Sequence, residues 1–326
     1  MSEILTGTPM EAKAAKALPE GPGWWFEPKW DGFRCLAFKS GDRVELLAKS
    51  GKSLNRFFPE VVERLRSVRA ERFGLDGELL ARAGDDWSFE VLQARLHPAE
   101  SRIRRLASET PATFTVFDML VDTDGADLRT RPLDVRQARL AAFTASHGDA
   151  RLTLSPGTGD RGRAQEWLET NRLEGVVAKR LDGPYEEGRR TMVKVKRLRS
   201  ADCVVGGFRY ASKSRLVGSL LLGLYDDEDR LHHVGFTSGF AGVDKVDLTG
   251  RLQGLSGGTG FTGRAPGGPS RWSTDRAANW VPLRHDMVVG VSFDQVSDGR
   301  FRHGTGLLRF RPNKSPRQCR MDQLDQ

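Results

Sequence analysis

Phe26-Glu27-Pro28-Lys29-Trp30-Asp31-Gly32-Phe33-Arg34 sets a lysine, one spacer, an aspartate and a glycine behind a proline that breaks any helix. An arginine follows two residues after the glycine. From 24 to 38 apolar and polar residues mix as in two strands around a turn. A lysine in this setting is a candidate nucleophile that takes a nucleotide onto its side chain. The plain alternative is a solvated surface charge. Lys-x-Asp-Gly alone arises by chance in roughly one chain in ten of this length, so the rest of the chain has to decide.

Outward from this stretch, 44–48 reads as a strand. Pro59 opens a helix with Val61, Val62 and Leu65 at helical spacing, and 73–80 is a strand. Residues 87–97 read as an amphipathic helix with Phe89, Leu92 and Leu96 on one face, 99–108 as a short helix and 112–121 as a strong strand. Helices at 132–147 and 163–171 and strands at 150–154, 174–179 and 191–196 complete this part, with 1–23 as a lead-in. The order indicates an α+β domain with antiparallel sheets over 1–198. Strands at 201–210, 218–225, 231–236, 286–296 and 305–310, with a helix near 243–252, indicate a small β-barrel of the OB kind over 199–326. Residues 254–270 read as a glycine-rich loop and 197–200 as a hinge.

The chain has 326 residues, too many for one comfortable core and about right for two domains. No apolar run approaches the ~18 residues of a membrane-spanning helix, and the first residues lack the apolar centre of a secretion signal. Cys35, Cys203 and Cys319 are odd in number and widely spaced, as expected of reduced thiols in the cytoplasm. The net charge is +8. From Ser200 onward there are 17 Lys+Arg against 13 Asp+Glu, and before it 34 against 30, so each part is +4. A surplus spread this evenly suits contact with a phosphate backbone along both parts.

Five further stretches stand in order after Lys29: Asp76-Gly77-Glu78, Phe114-Thr115-Val116-Phe117-Asp118, Glu174-Gly175-Val176-Val177, Lys194-Val195-Lys196 and Arg309-Phe310-Arg311-Pro312-Asn313-Lys314. Alternation on a strand turns Lys194 and Lys196 to the same side. A lysine amine must be neutral to attack phosphorus, against a reference pKa of ~10.4. Arg34, Lys194 and Lys196 are cations that can depress that value and hold an α-phosphate. Glu78 and Glu174 can receive a ribose and a hard divalent ion, and Phe117 can stack on a base. Each has a plain reading too: Asp76-Gly77 a turn, Phe117 a core residue, the lysine pair a solvated strand face. The ordered set on one chain is much harder to assign to accident.

The set resembles the motifs of covalent nucleotidyltransferases, the group that holds ATP-dependent DNA ligases, RNA ligases and mRNA-capping guanylyltransferases. It is most similar to ATP-dependent DNA ligases, in particular the small bacterial LigC type. The likeness rests on 27–34, 56–62, 75–79, 174–180, 301–305 and 311–316 with Cys319, Asp322 and Gln323, and covers nearly the whole chain. It implies an adenylation (nucleotidyltransferase) domain followed by an OB-fold domain. ATP with Mg²⁺ or Mn²⁺ would be used, and nicked double-stranded DNA would be sealed through a lysyl-AMP and a DNA-adenylate. Lys29 would carry AMP. Glu27 would meet the adenine edge, Asp31 would orient the nucleotide or nick, and Arg34 would contact AMP or the 5′-phosphate. Glu78 would hold the ribose and, with Glu174, the metal. Phe117 would stack on adenine, Lys194 and Lys196 would contact the AMP phosphate, and Arg311 and Lys314 would orient pyrophosphate. The resemblance further implies a monomer in the cytoplasm, associated with the nucleoid and no membrane. Its setting would be DNA repair, base excision repair included, beside a gap-filling primase-polymerase.

Two positions depart from the family pattern. Lys49 stands where an arginine contacting phosphate or DNA is expected, keeping the charge without the bidentate fork. Asn313 replaces the aspartate of the final motif, which points to slower self-adenylylation. The same Lys29 chemistry would serve an RNA ligase or a GTP-using capping enzyme. A non-catalytic DNA-binding relative would bind DNA and form no adduct.

Overall fold

The computed structural model describes residues 6–170, 173–240, 242–267 and 279–324. The chain divides into two compact units between Arg197 and Leu198.

The first unit is built on two sheets. Its strands are β1 (Ala12–Ala15), β2 (Trp24–Lys29), β3 (Phe33–Ser40), β4 (Arg43–Ala48), β5 (Arg72–Leu80), β6 (Thr113–Val121), β7 (Leu152–Leu154), β8 (Gly175–Arg180) and β9 (Met192–Lys196). One sheet has the order β4-β3-β5-β6-β7 and the other β1-β9-β8-β2. Pairing is antiparallel except for β1 with β9 and β6 with β7, which are parallel. Helices α1 (Pro59–Arg66), α2 (Phe89–Gln93), α3 (Glu100–Glu109), α4 (Leu133–His147) and α5 (Arg161–Glu169) complete the unit.

Strand alternation separates three cores. On β3, Cys35 and Ala37 join Val61, Leu65 and Phe143 in the core under α1 and α4. Leu36 and Phe38 point the other way and meet Met192 of β9 in a core between the two sheets. On β9, Val193 and Val195 pack with Phe26 and Ala164 on the α5 side. Lys194 and Lys196 therefore share a face with Met192. The same parity puts Glu27 and Lys29 on the face of β2 opposite Phe26, and Asp76 and Glu78 on the face of β5 opposite Leu75 and Leu79. These polar residues of β2, β5 and β9 are thus aimed into the space between the sheets.

Two expectations need correction. The helix expected over 87–97 is only Phe89–Gln93. Ser88 caps it, and Trp87 pairs with Arg82 in a short ladder. Beyond it the chain turns to bury Arg95, whose guanidinium meets Glu60 at 2.8 Å and the Phe57 carbonyl at 2.9 Å, while Leu96 is left 39% exposed. The lead-in contains β1, an edge strand. Its alanine-rich sequence has no apolar alternation to announce it, and pairing with β9 creates it.

The second unit contains β10 (Arg199–Tyr210), β11 (Val217–Tyr225), β12 (Leu231–Gly239), α6 (Lys245–Gly254), β13 (Val288–Phe293) and β14 (Thr305–Phe310). The pairings run β10-β11-β12-β14-β13 and back to β10, a closed ring in which only β12 with β14 is parallel. One apolar core fills it, with Val204, Phe208, Leu221, Val234, Leu248 and Val289 all buried. This is the OB architecture. The loop expected over 254–270 lies outside the described residues beyond 267. Among the described residues no helix is long and apolar enough to cross a membrane.

Candidate active site

A cavity of roughly 210 Å³ opens in the first unit, and Glu27, Lys29, Arg34, Lys49, Glu78, Phe117 and Lys194 line it. Lys29 is the last residue of β2, and Phe33 begins β3 in the other sheet, so the Trp30–Gly32 turn carries the chain from one wall to the other. Gly32 is needed there, because a Cβ would lie 2.1 Å from the Leu79 carbonyl oxygen.

The Lys29 Nζ is in direct contact with Glu174 Oε2. The other carboxylate oxygen of Glu174 accepts from Lys196 Nζ at 2.8 Å. Glu174 sits immediately before β8, whose Gly175 is register partner to both Lys29 and Lys196. Backbone pairing alone therefore brings the three charges together. Burial pushes the Glu174 carboxyl up, and the two lysines outweigh it, leaving its pKa below the usual carboxylate value. Lys194 points the same way, and burial together with Lys29 and Lys196 holds its pKa below that of an ordinary lysine.

On the opposite wall Arg34 lies across the ladder from Glu78 and is clamped by Asp76, with Nε–Oδ1 at 2.5 Å and Nη2–Oδ2 at 2.6 Å. Asp76 is fully buried and also accepts from the Tyr185 hydroxyl at 2.5 Å. That hydroxyl in turn accepts from the Met10 backbone N–H at 3.0 Å. The Arg34 guanidinium stands 4.5 Å from the centre of the Phe117 ring, and Lys179 Nζ stands 4.6 Å from it. Lys179 is buried, ion-paired to Glu27 at 2.8 Å, and donates to the Phe117 carbonyl at 3.3 Å. Burial pushes the Glu27 carboxyl above its ordinary range, with Lys179 opposing. Burial also pushes Glu78 up to about 7, against the pull of Arg34 and Lys29 and helped by the charges of Asp76 and Asp31.

The structure thus gathers Glu27, Lys29, Arg34, Lys49, Glu78, Phe117 and Lys194 around one cavity, and Glu174 and Lys196 join them through the contact of Glu174 with Lys29. Lys49 is its most exposed cation and pairs with Glu11 at 3.1 Å. Asp31 lies in the turn behind Lys29, outside the lining. Arg311 and Lys314 belong to the second unit, where both meet Asp202 Oδ2, at 3.1 and 3.0 Å. Sequence reasoning missed Lys179, Tyr185 and the Pro9–Ala12 rim. The strand expected over 73–80 is β5, so Asp76-Gly77 lies inside a strand, beside a bulge against β6, and the plain alternative of a turn does not hold. The sequence held a signal for Lys179, which alternates with Val177 and so faces the cavity with it. Trp30 donates to Ser155 Oγ at 2.9 Å, and Phe33 meets Phe58 and Phe89 edge-on.

Residues 9–196 match the family model for the ATP dependent DNA ligase domain, and 213–314 match that for the ATP dependent DNA ligase C terminal region. The chain belongs to the ATP-dependent DNA ligases. It is of the small bacterial LigC type. DNA ligase C1 of Mycolicibacterium smegmatis is 42% identical over 97% of this chain and 93% of its own length. DNA ligase C of Mycobacterium tuberculosis is 40% identical over 98% and 93%. Among solved structures, the ligase domain of M. tuberculosis LigD is similar with a TM-score of 0.52 and 26% identity, over 96% of this chain and 97% of that one. A ligase of this family seals nicks in duplex DNA at the expense of ATP.

Proposed function

We propose that Lys29 is the nucleophile of a three-step nick-sealing reaction. In the first step its amine attacks the α-phosphorus of ATP, a P–N bond forms, the bond to pyrophosphate breaks and the amine loses a proton. In the second the AMP passes to a DNA 5′-phosphate. In the third a 3′-hydroxyl attacks that phosphate and AMP leaves. The observation that carries this reading is the Lys29–Glu174–Lys196 charge set, whose Lys29 lines a cavity together with Phe117 and Arg34.

Glu174 fixes the direction of the amine, and Lys194 and Lys196 supply positive charge where the α-phosphate develops negative charge. Phe117 supplies a wall for adenine, with Glu27 at its edge. Glu78 faces the ribose, Asp31 steers the nucleotide or nick, and Arg34 and Lys49 reach the DNA phosphate. Arg311 and Lys314 attend the pyrophosphate, with 1–198 the adenylation domain, 199–326 the OB-fold domain and 197–200 the hinge.

Among the described residues no group of three or more His, Cys, Asp or Glu side chains forms a metal cluster. Two carboxylates, one already engaged by lysines, fit Mg²⁺ or Mn²⁺ that arrives with the triphosphate and keeps mostly phosphate and water ligands. Glu78 and Glu174 would hold it, and it would screen phosphate charge. A monomeric repair enzyme, base excision repair included, working beside a gap-filling primase-polymerase in the cytoplasm is the setting we infer.

Intact-mass measurement before and after ATP tests the assignment. Wild type is expected to gain one AMP and Lys29→Ala none. An AMP adduct that persists in the variant would remove Lys29 from the role.

A further inference from the structure

We propose that Asp202 is the positioning residue that sets Arg311 and Lys314 for the pyrophosphate end of ATP. This rests on the reading above that these two cations act on that leaving group in the first step.

A single oxygen, Asp202 Oδ2, takes Arg311 Nη2 at 3.1 Å and Lys314 Nζ at 3.0 Å. Two like charges are thereby held within roughly 6 Å of each other, where they would otherwise repel. The turn that presents them is also fixed. The Arg311 N–H donates to the Val288 carbonyl at 2.8 Å, and the Lys314 N–H donates to the Arg311 carbonyl at 3.1 Å. Asn313, between them, adds no charge to the turn.

The carboxylate itself is built in. Gln323 grips the backbone of Asp202 twice, accepting from its N–H at 2.9 Å and donating to its carbonyl at 3.2 Å. Across the ladder stands Gly290, where a Cβ would come within 3.1 Å of Asp202 Oδ1. Asp202 is largely shielded, while Arg311 and Lys314 keep 36% and 25% of their side-chain surface open. The Arg311 Nε is buried without a hydrogen-bond partner among the described residues, so the donors left for a ligand are the exposed guanidinium N–H groups and the Lys314 amine. The cations are held from behind by one oxygen and retain donors for a second anion in front. A diphosphate has the charge and the several acceptor oxygens to take them.

The test separates the first step from the last in the full-length protein. Asp202→Ala is expected to slow AMP transfer from saturating ATP to Lys29 by tenfold or more. Sealing of a nick that already carries the DNA-adenylate, with no ATP present, should stay within twofold of wild type, which also reports folding. Asp202→Asn, keeping one acceptor oxygen without the charge, should fall between wild type and Asp202→Ala in the first step alone. In an Arg311→Ala/Lys314→Ala background, Asp202→Ala should change the first step by less than twofold.

Wild-type adenylylation rates in both Asp202 variants would overturn the proposal. So would equal losses in the first and last steps for Asp202→Asn, or a further tenfold loss in the double-variant background. If wild-type protein forms no adduct from ATP, the Lys29 reading falls first and this proposal with it.

Discussion

The two charged sites differ in how deeply their anions are buried. In the first unit Arg34 is clamped by Asp76, which has no exposed surface, and Lys29 and Lys196 share Glu174, whose side chain is 6% exposed. In the second unit Arg311 and Lys314 share Asp202, whose side chain is 14% exposed. A buried carboxylate stripped of its cation has no water to turn to, so such a pair is bound into the stability of the fold. A carboxylate with more access to water loses less when one of its cations is removed, because water can take that partner's place. The first site is bound into the core by its anions, and the second is held by one carboxylate that keeps some access to water.

The contrast is most exposed to failure at Arg34. Arg34→Ala leaves the Asp76 carboxylate buried with the Tyr185 hydroxyl as its remaining partner, and a loss of about 3 kcal/mol or more is expected. Urea unfolding measures it, and a loss below about 1 kcal/mol would mean that Asp76 is not dependent on Arg34. Arg311→Ala should cost at most about 1 kcal/mol in the same experiment, while slowing adenylylation of Lys29. A stability loss as large as that of Arg34→Ala would erase the distinction between the sites.

A separate expected effect is a pH dependence at Glu78. Its pKa rises from 4.5 to about 7 on folding, because burial disfavours the ionised form. Between those values the folded chain binds more protons than the unfolded one, so this group's contribution to stability is present below 4.5 and lost as pH rises through 7. Glu78→Gln removes the titration. The melting temperature of that variant should therefore gain on wild type as pH rises from 4.5 to 7, and a gap that narrows over this window would contradict the shift.

Much of the cradle could be read in the sequence because strand periodicity reports which residues share a face. Lys194 and Lys196 could be paired from Lys-Val-Lys alone, and Lys29 could be placed at a strand end from Pro28 and Gly32. The helix over 87–97 was misjudged because Phe89, Leu92 and Leu96 fit a helical stripe. What broke that helix was the burial of Arg95 against Glu60, a contact across 35 residues that no local pattern records. β1 was missed for the opposite reason, since its alanines carry no pattern and only the exposed edge of β9 makes them a strand.

The sequence by itself determined the order of the motifs, the α+β and OB-fold halves and the family. These follow from local composition and alternation, which act within a few residues. The tertiary structure decided which charges meet: Glu174 with Lys29 and Lys196, Asp76 with Arg34, Glu27 with Lys179, and Asp202 with Arg311 and Lys314. Such pairings depend on sheet register and on how far each carboxylate is withdrawn from water, and both are fixed only when distant strands pack.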